Sequence, residues 1–321
     1  MPAGLAVHAD WSVDPRKRWM AIAEPYAGGW RLAAPVPVGD VATLLERLRA
    51  RADRVALGVD LPLGLPRAFV QRHVVAPDFP SFLRGLAQRP DFFEVCATIE
   101  DLTPGRPFYP LRGIKGMTRA AHAAALGLDG PRGLSRDCDQ ATSERPAGAP
   151  LFWTLGANQT GKAAISAWRD LLLPALASPK PPQLWPFDGD FRALLDKAGV
   201  VIAETYPAEA LRHLGLRLPG SKRRQADRGA LADALAGAMH GLDVTPTPAM
   251  DAMLRDGFGA DAAGEDRLDC VLGVLAVINV LTGNRPDGVP DDPWLRSWEG
   301  WVLGQTARPL KSALPIAATP R

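Results

Sequence analysis

The chain predicts an α/β fold, and three features of the sequence point to it. Residues 5–10, 18–24 and 29–35 form three short apolar runs, with Gly28-Gly29 marking a hairpin turn between the last two. Residues 38–51 place Val41, Leu44, Leu45 and Leu48 on one helical face. "RVALGVD" (54–60) and "AGVVIAETYP" (198–207) are continuous apolar strands of the kind a parallel sheet covers on both faces.

Between those two strands the texture changes. Residues 67–190 hold many of the prolines and most of the phenylalanines, and read as a largely helical insertion with long loops. Short helices are expected near 67–73, 79–87, 116–126 and 161–177. A helix at 222–240 is apolar through Ala230, Leu231, Ala234, Leu235, Ala238 and Met239. A last helix runs from near Glu265 to about Leu281. One domain over 1–306 is expected, its core from 1–66 and 191–285, with the Pro-rich 307–321 as a disordered tail.

At 321 residues, 47% hydrophobic and 22% charged, the chain has an ordinary globular composition. A net charge of +2 neither announces a nucleic-acid binder nor excludes one with a local basic face. Cys96, Cys138 and Cys270 stand far apart without a C-x-x-C pair. That argues against a disulfide framework or zinc knuckle and fits a reducing cytoplasm. "MPAGLAVHADW" is not a signal peptide. The apolar run near 270–281 contains Gly273 and Asn279 and is too short for a bilayer, so no membrane association is expected.

Chemistry concentrates in the acids. Three apolar strands end on one: "LAVHAD" on Asp10, "ALGVD" on Asp60 and "VVIAE" on Glu204. Ligands of open α/β sheets bind at the carboxyl ends of strands. Asp266 and Asp269 in "GEDRLDCVLGVLAVI" are three apart at the start of a helix, hence on one face. Carboxylates drawn together raise each other's pKa, and a bound cation relieves the repulsion. Oxygen ligands without clustered Cys or His suit Mg2+ or Mn2+. Two such ions would serve hydrolysis of a phosphodiester. Taken singly, a strand-end acid is more often a cap or turn residue than a ligand, and Asp266 or Asp269 is favourable charge at a helix start; it is their coincidence that points to a joint site.

"LFWTLGANQTGKAAISAW" (151–168) carries Gly156, Gly161 and Lys162 in the spacing of a phosphate-binding loop. Its eighth position, where Ser or Thr would hold magnesium, is Ala163. Asn158, Gln159 and Lys162 are instead candidate substrate contacts, against loop capping and a solvated lysine. Lys222, Arg223 and Arg224 open a helix and ask for anions: a nucleic-acid phosphate, or Asp227 and Asp233. His8 shares the strand face of Asp10, as a proton-transfer group or as a packed histidine. Arg136, Asp137 and Asp139 form a polar knot whose role the sequence does not give.

"HADWS" (8–12), "GVDLPLGLP" (58–66), "ETYPAEAL" (204–211) and "DRLDCVLGVLAV" (266–277) together resemble a bacterial family of RNase H-like nucleases, domain of unknown function number 429. The resemblance implies an RNase H-like mixed sheet of five strands, the first three antiparallel, with flanking helices. It implies a metal site like that of Holliday-junction resolvases at Asp10, Asp60, Asp266 and Asp269, with Glu204 nearby, acting on a nucleic acid. It also places the glycine-rich loop inside the insertion. The competing readings are a phosphotransferase of the actin and sugar-kinase branch and a non-catalytic binding protein. The first wants a Gly/Thr-rich hairpin after the first Asp, which "DWSVDPRKR" does not offer.

Overall fold

The computed structural model describes residues 4–156 and 160–310. Its centre is a mixed sheet of eight strands. In chain order these are β1 (Leu5–Asp10), β2 (Trp19–Tyr26), β3 (Gly29–Leu32), β4 (Val36–Pro37), β5 (Arg54–Val59), β6 (Gln183–Leu184), β7 (Gly199–Glu204) and β8 (Val244–Pro246). The order across the sheet is β6-β7-β5-β1-β2-β3-β8, and β4 pairs with β2. β1, β2 and β3 are antiparallel, while β5 lies parallel to β1 and β7 parallel to β5.

The five expected strands are therefore extended by three more. β4, β6 and β8 are two or three residues long, too short to leave an alternating pattern in the sequence. The β2–β3 turn has positive φ at both Ala27 (47°) and Gly28 (84°), as a tight hairpin turn whose twist matches its strands requires.

The two faces of the sheet are built differently. One carries Leu5, Val7, Ala9, Val55, Leu57, Val59, Val200 and Ile202, packed against aromatic residues of the insertion such as Phe69, Phe79, Phe108 and Phe152. The other carries the small residues Ala6, Ala21, Ala23 and Ala56, covered by the helix Gly264–Leu281. Small side chains let that helix approach closely. A Cβ on Gly58 would stand 2.7 Å from Val277, and one on Gly273 would stand 2.2 Å from the ring of His8.

The insertion is a set of short helices, Arg67–His73, Phe79–Gly85, Arg119–Ala125 and Thr160–Ala167 among them, and it also supplies β6. Two expected helices are shorter than their periodicity. The helix read at 38–51 is confined to Leu44–Arg49. The one read at 222–240 is broken into Gln225–Gly229 and Ala232–Gly241. Of the tail, 311–321 lies outside the described residues. No described helix is long and apolar enough to cross a membrane.

Candidate active site

The register of the sheet places the first two acids. Ala9 is opposite Val59 in the parallel β1–β5 pair, and the Asp60 N–H donates to the Ala9 carbonyl at 3.1 Å. Asp10 and Asp60 are thus the next rung. In-register parallel neighbours point to the same face, here the face of His8 and Gly58, under the long helix. That helix begins at Gly264, so Asp266 and Asp269 lie in its opening turns above them. All four line one cleft of about 620 Å³, together with Glu265.

The acids perturb one another as a shared anionic site should. Burial, then the charges of Asp269, Asp60 and Asp266, push the Asp10 carboxyl well above the usual carboxylate range. Burial and Asp269 push Asp60 up to about 7. Burial, Asp269 and Glu265 push Asp266 up to about 6. Asp269 is also raised by burial, against the opposing pull of Lys222. The Lys222 ammonium donates to both Asp269 carboxylate oxygens, at 2.6 and 2.7 Å. Burial alone would lower its pKa, but Asp269 and Asp60 hold it above the ordinary lysine value, so it stays charged.

Glu204 is not part of this cluster, which corrects the expectation that it stands beside the other acids. It pairs in register with Val59, one rung below Asp60, and so points to the opposite face. There it is fully buried and receives two hydrogen bonds from Arg136, each 2.6 Å, and one from the Leu63 N–H at 2.7 Å. Arg136 also binds Asp139 at 2.9 and 3.0 Å and donates to the Leu63 carbonyl at 2.8 Å. The Tyr206 hydroxyl donates to Asp139 at 2.9 Å.

The polar knot of the sequence is therefore the partner of Glu204. Its consequence for the cleft is indirect: it clamps Leu63, three residues after Asp60. Trp168 adds a 2.8 Å hydrogen bond to the Pro62 carbonyl. Gly64 has φ +124°, and a Cβ there would meet the Glu299 carbonyl oxygen at 2.1 Å. The segment "DLPLGLP" is held this way from both sides. Sequence reasoning found its glycine and prolines but not the clamp, because Arg136 lies 68 residues from Glu204 in the chain.

Other candidates divide. Lys162 lines the cleft, as do Lys17, Arg145 and Arg212. Arg145 and Arg212 share Glu209, at 2.5 and 2.7 Å. Burial would push the Glu209 carboxyl up, but His213 and the two arginines overrule it and hold it at about 2. Asn158 and Gln159 lie outside the described residues. Arg224 pairs with Asp227 at 2.6 Å, and exposed Arg223 does not line the cleft. His8 is buried below Asp10, with neither ring nitrogen hydrogen-bonded among the described residues. Burial depresses it to about 3, so it is a neutral packing group.

The phosphate-loop pattern has the wrong surroundings. Before Gly161, Trp153 makes only an isolated bridge to Tyr109 and is no strand of the sheet. Gly161 is a close-packing glycine inside the first turn of its helix, where a Cβ would stand 2.8 and 2.9 Å from the carbonyls of Trp153 and Leu151.

Among the described residues, two groups of metal-capable side chains have ligand atoms all within 4.8 Å of one another: Cys138–Asp139–Glu204 and Glu144–Glu209–His213. Arginines already engage both. Arg136 binds Asp139 and Glu204 of the first, and Arg145 and Arg212 bind Glu209 of the second. Among the described residues, no three of Asp10, Asp60, Asp266 and Asp269 meet that spacing, and one ammonium, that of Lys222, stands on Asp269. No family model, curated protein or solved structure matches the chain.

Proposed function

We propose that this cleft is the active site of a divalent-metal-dependent phosphodiester hydrolase, a nuclease built on an RNase H-like core. One observation carries the proposal. Asp10 and Asp60 end adjacent parallel strands on one face, opposite the aspartates of the last helix, and the carboxyls of all four are raised in pKa. Burying carboxylates together costs stability, first through lost hydration and then through repulsion, and is tolerated where function uses it. The strand order β3-β2-β1-β5-β7 within the larger sheet supports the RNase H-like core and the family resemblance.

The donor set is all carboxylate, which fits Mg2+ or Mn2+ rather than a softer metal. Asp10, Asp60 and Asp266 would hold the ion, with Asp269 beside them. A divalent cation there would supply Lewis acidity toward water and toward the phosphodiester oxygens. The chain's own residues do the rest. The clamp on Leu63 fixes the loop that carries Asp60. Lys17, Lys162 and Arg212 give the cleft positive charge for a phosphate backbone without reading its sequence. Three buried free thiols fit a reducing compartment, and we place the protein in the cytoplasm.

The test is cleavage of labelled single-stranded, duplex and branched DNA and RNA in Mg2+, Mn2+ or chelator. At least one substrate should be cut with metal and not with chelator, and Asp10→Asn should abolish the cutting. Metal-independent cleavage, or unchanged cleavage by Asp10→Asn, would overturn the proposal.

A further inference from the structure

We propose that Lys222 is a built-in second cation of the cleft, standing beside Asp269 where the second ion of a two-ion site would stand. The protein then binds one divalent cation, not two. The inference rests on the metal reading above and refines it.

Three observations point this way. First, the ammonium engages both carboxylate oxygens of Asp269, at 2.6 and 2.7 Å. A lysine meant only for substrate phosphate would project an uncommitted ammonium into the cleft. Second, Lys222 is placed rigidly. Its carbonyl accepts a hydrogen bond from Arg228, a buried side chain that also donates to the carbonyls of Gly257 and Gly259, at 2.8 and 2.5 Å. Gly264, the first residue of the long helix, makes room for that guanidinium: a Cβ there would come within 2.2 Å of it. On the other side, Asp227 accepts from the Ser221 N–H at 2.7 Å and from Arg224 at 2.6 Å. The segment carrying Lys222 is thereby packed, through Arg228, against the first residue of the helix that carries Asp266 and Asp269.

Third, the carboxylates are divided. With Asp269 held by Lys222, Asp10, Asp60 and Asp266 are left in the cleft for a divalent ion. A second ion would have to take Asp269 from an ammonium that already satisfies both its oxygens. A lysine also differs from an ion in its permanence, because it cannot dissociate and is present before substrate arrives.

The test is a count of bound Mn2+ by electron paramagnetic resonance titration, in wild type, Lys222→Met and Lys222→Arg. Circular dichroism first establishes that each protein is folded. Any ion that persists in the corresponding Asp10→Asn background is subtracted as belonging elsewhere. One ion per chain is expected for wild type and Lys222→Arg, and two for Lys222→Met. Should Lys222→Met fail to fold, the wild-type and Lys222→Arg counts decide alone. Two ions on wild type, or one ion of unchanged affinity on Lys222→Met, would overturn the role of Lys222 while leaving the metal site standing. Absence of binding in all three proteins would instead overturn the metal reading on which it rests.

Discussion

Asp60→Asn should make the metal-free protein more stable at pH 8 and leave it unchanged near pH 4. The Asp60 carboxyl rises from 3.8 to about 7 on folding, from burial and from Asp269. A raised carboxylate pKa means that the folded state binds its proton more tightly than the unfolded state does. The resulting destabilisation is absent below the unfolded value of 3.8. It grows as pH rises and is complete above about 7. At about 1.36 kcal/mol per pH unit the full effect is about 4 kcal/mol, and screening by cleft water leaves about 2–4 kcal/mol. The amide has the carboxylate's shape without its charge, so the variant escapes this cost. At about 2.1 cal/mol/K of unfolding entropy per residue, a chain of this length gains about 3–6 °C in melting temperature. Calorimetric melts of both proteins in chelator from pH 4 to pH 8.5 read the effect directly. An advantage that does not change with pH, or a variant less stable than wild type at pH 8, would refute the electrostatic origin.

Three further perturbations separate the cleft from its supports. Wild type should melt higher in Mn2+, by about 2.7 kcal/mol at a hundredfold excess over Kd. Asp10→Asn should lose most of that increment in the same melts. Glu204→Gln leaves Arg136 paired with Asp139 but turns one acceptor oxygen into an amide donor facing an Arg136 or Leu63 N–H, and should cost about 1–3 kcal/mol in urea unfolding, with the Mn2+ increment of the folded fraction retained. Abolition of that increment with full stability would mean that Glu204 is a ligand after all. Gly273→Ala pushes a methyl into the His8 ring, so thermal melts should show a loss of about 1–3 kcal/mol. A gain, the usual result of Gly→Ala in a helix, would show that the helix does not need its close approach to β1.

What the sequence made legible was whatever depends on local pattern. The apolar runs read for β1 and β5 end within one residue of the strands, and the run read for β7 ends three residues past its strand, because burial on both faces leaves a continuous apolar signature. Asp10, Asp60, Asp266 and Asp269 could be grouped, since strand ends and a helix start are themselves local features. Facing was not legible. Glu204 ends its strand as Asp60 does, yet a register one rung lower turns it to the opposite side of the sheet. No periodicity within β7 reports its register against β5. Long-range pairing was equally hidden: Lys222 lies 47 residues from Asp269, and only the folded chain shows that its anion is neither Asp227 nor Asp233. The short strands β4, β6 and β8 exist because neighbouring backbones complete them, and their own sequences carry no strand period.

The central claim is that Asp10 and Asp60 share a divalent cation. Anomalous diffraction at the manganese edge, from crystals grown with Mn2+, tests it most directly. A peak within coordination distance of both Asp10 and Asp60, with the Lys222 ammonium still on Asp269, is the predicted map. A map with no peak in the cleft, or with manganese only at Glu144, Glu209 and His213, would contradict it.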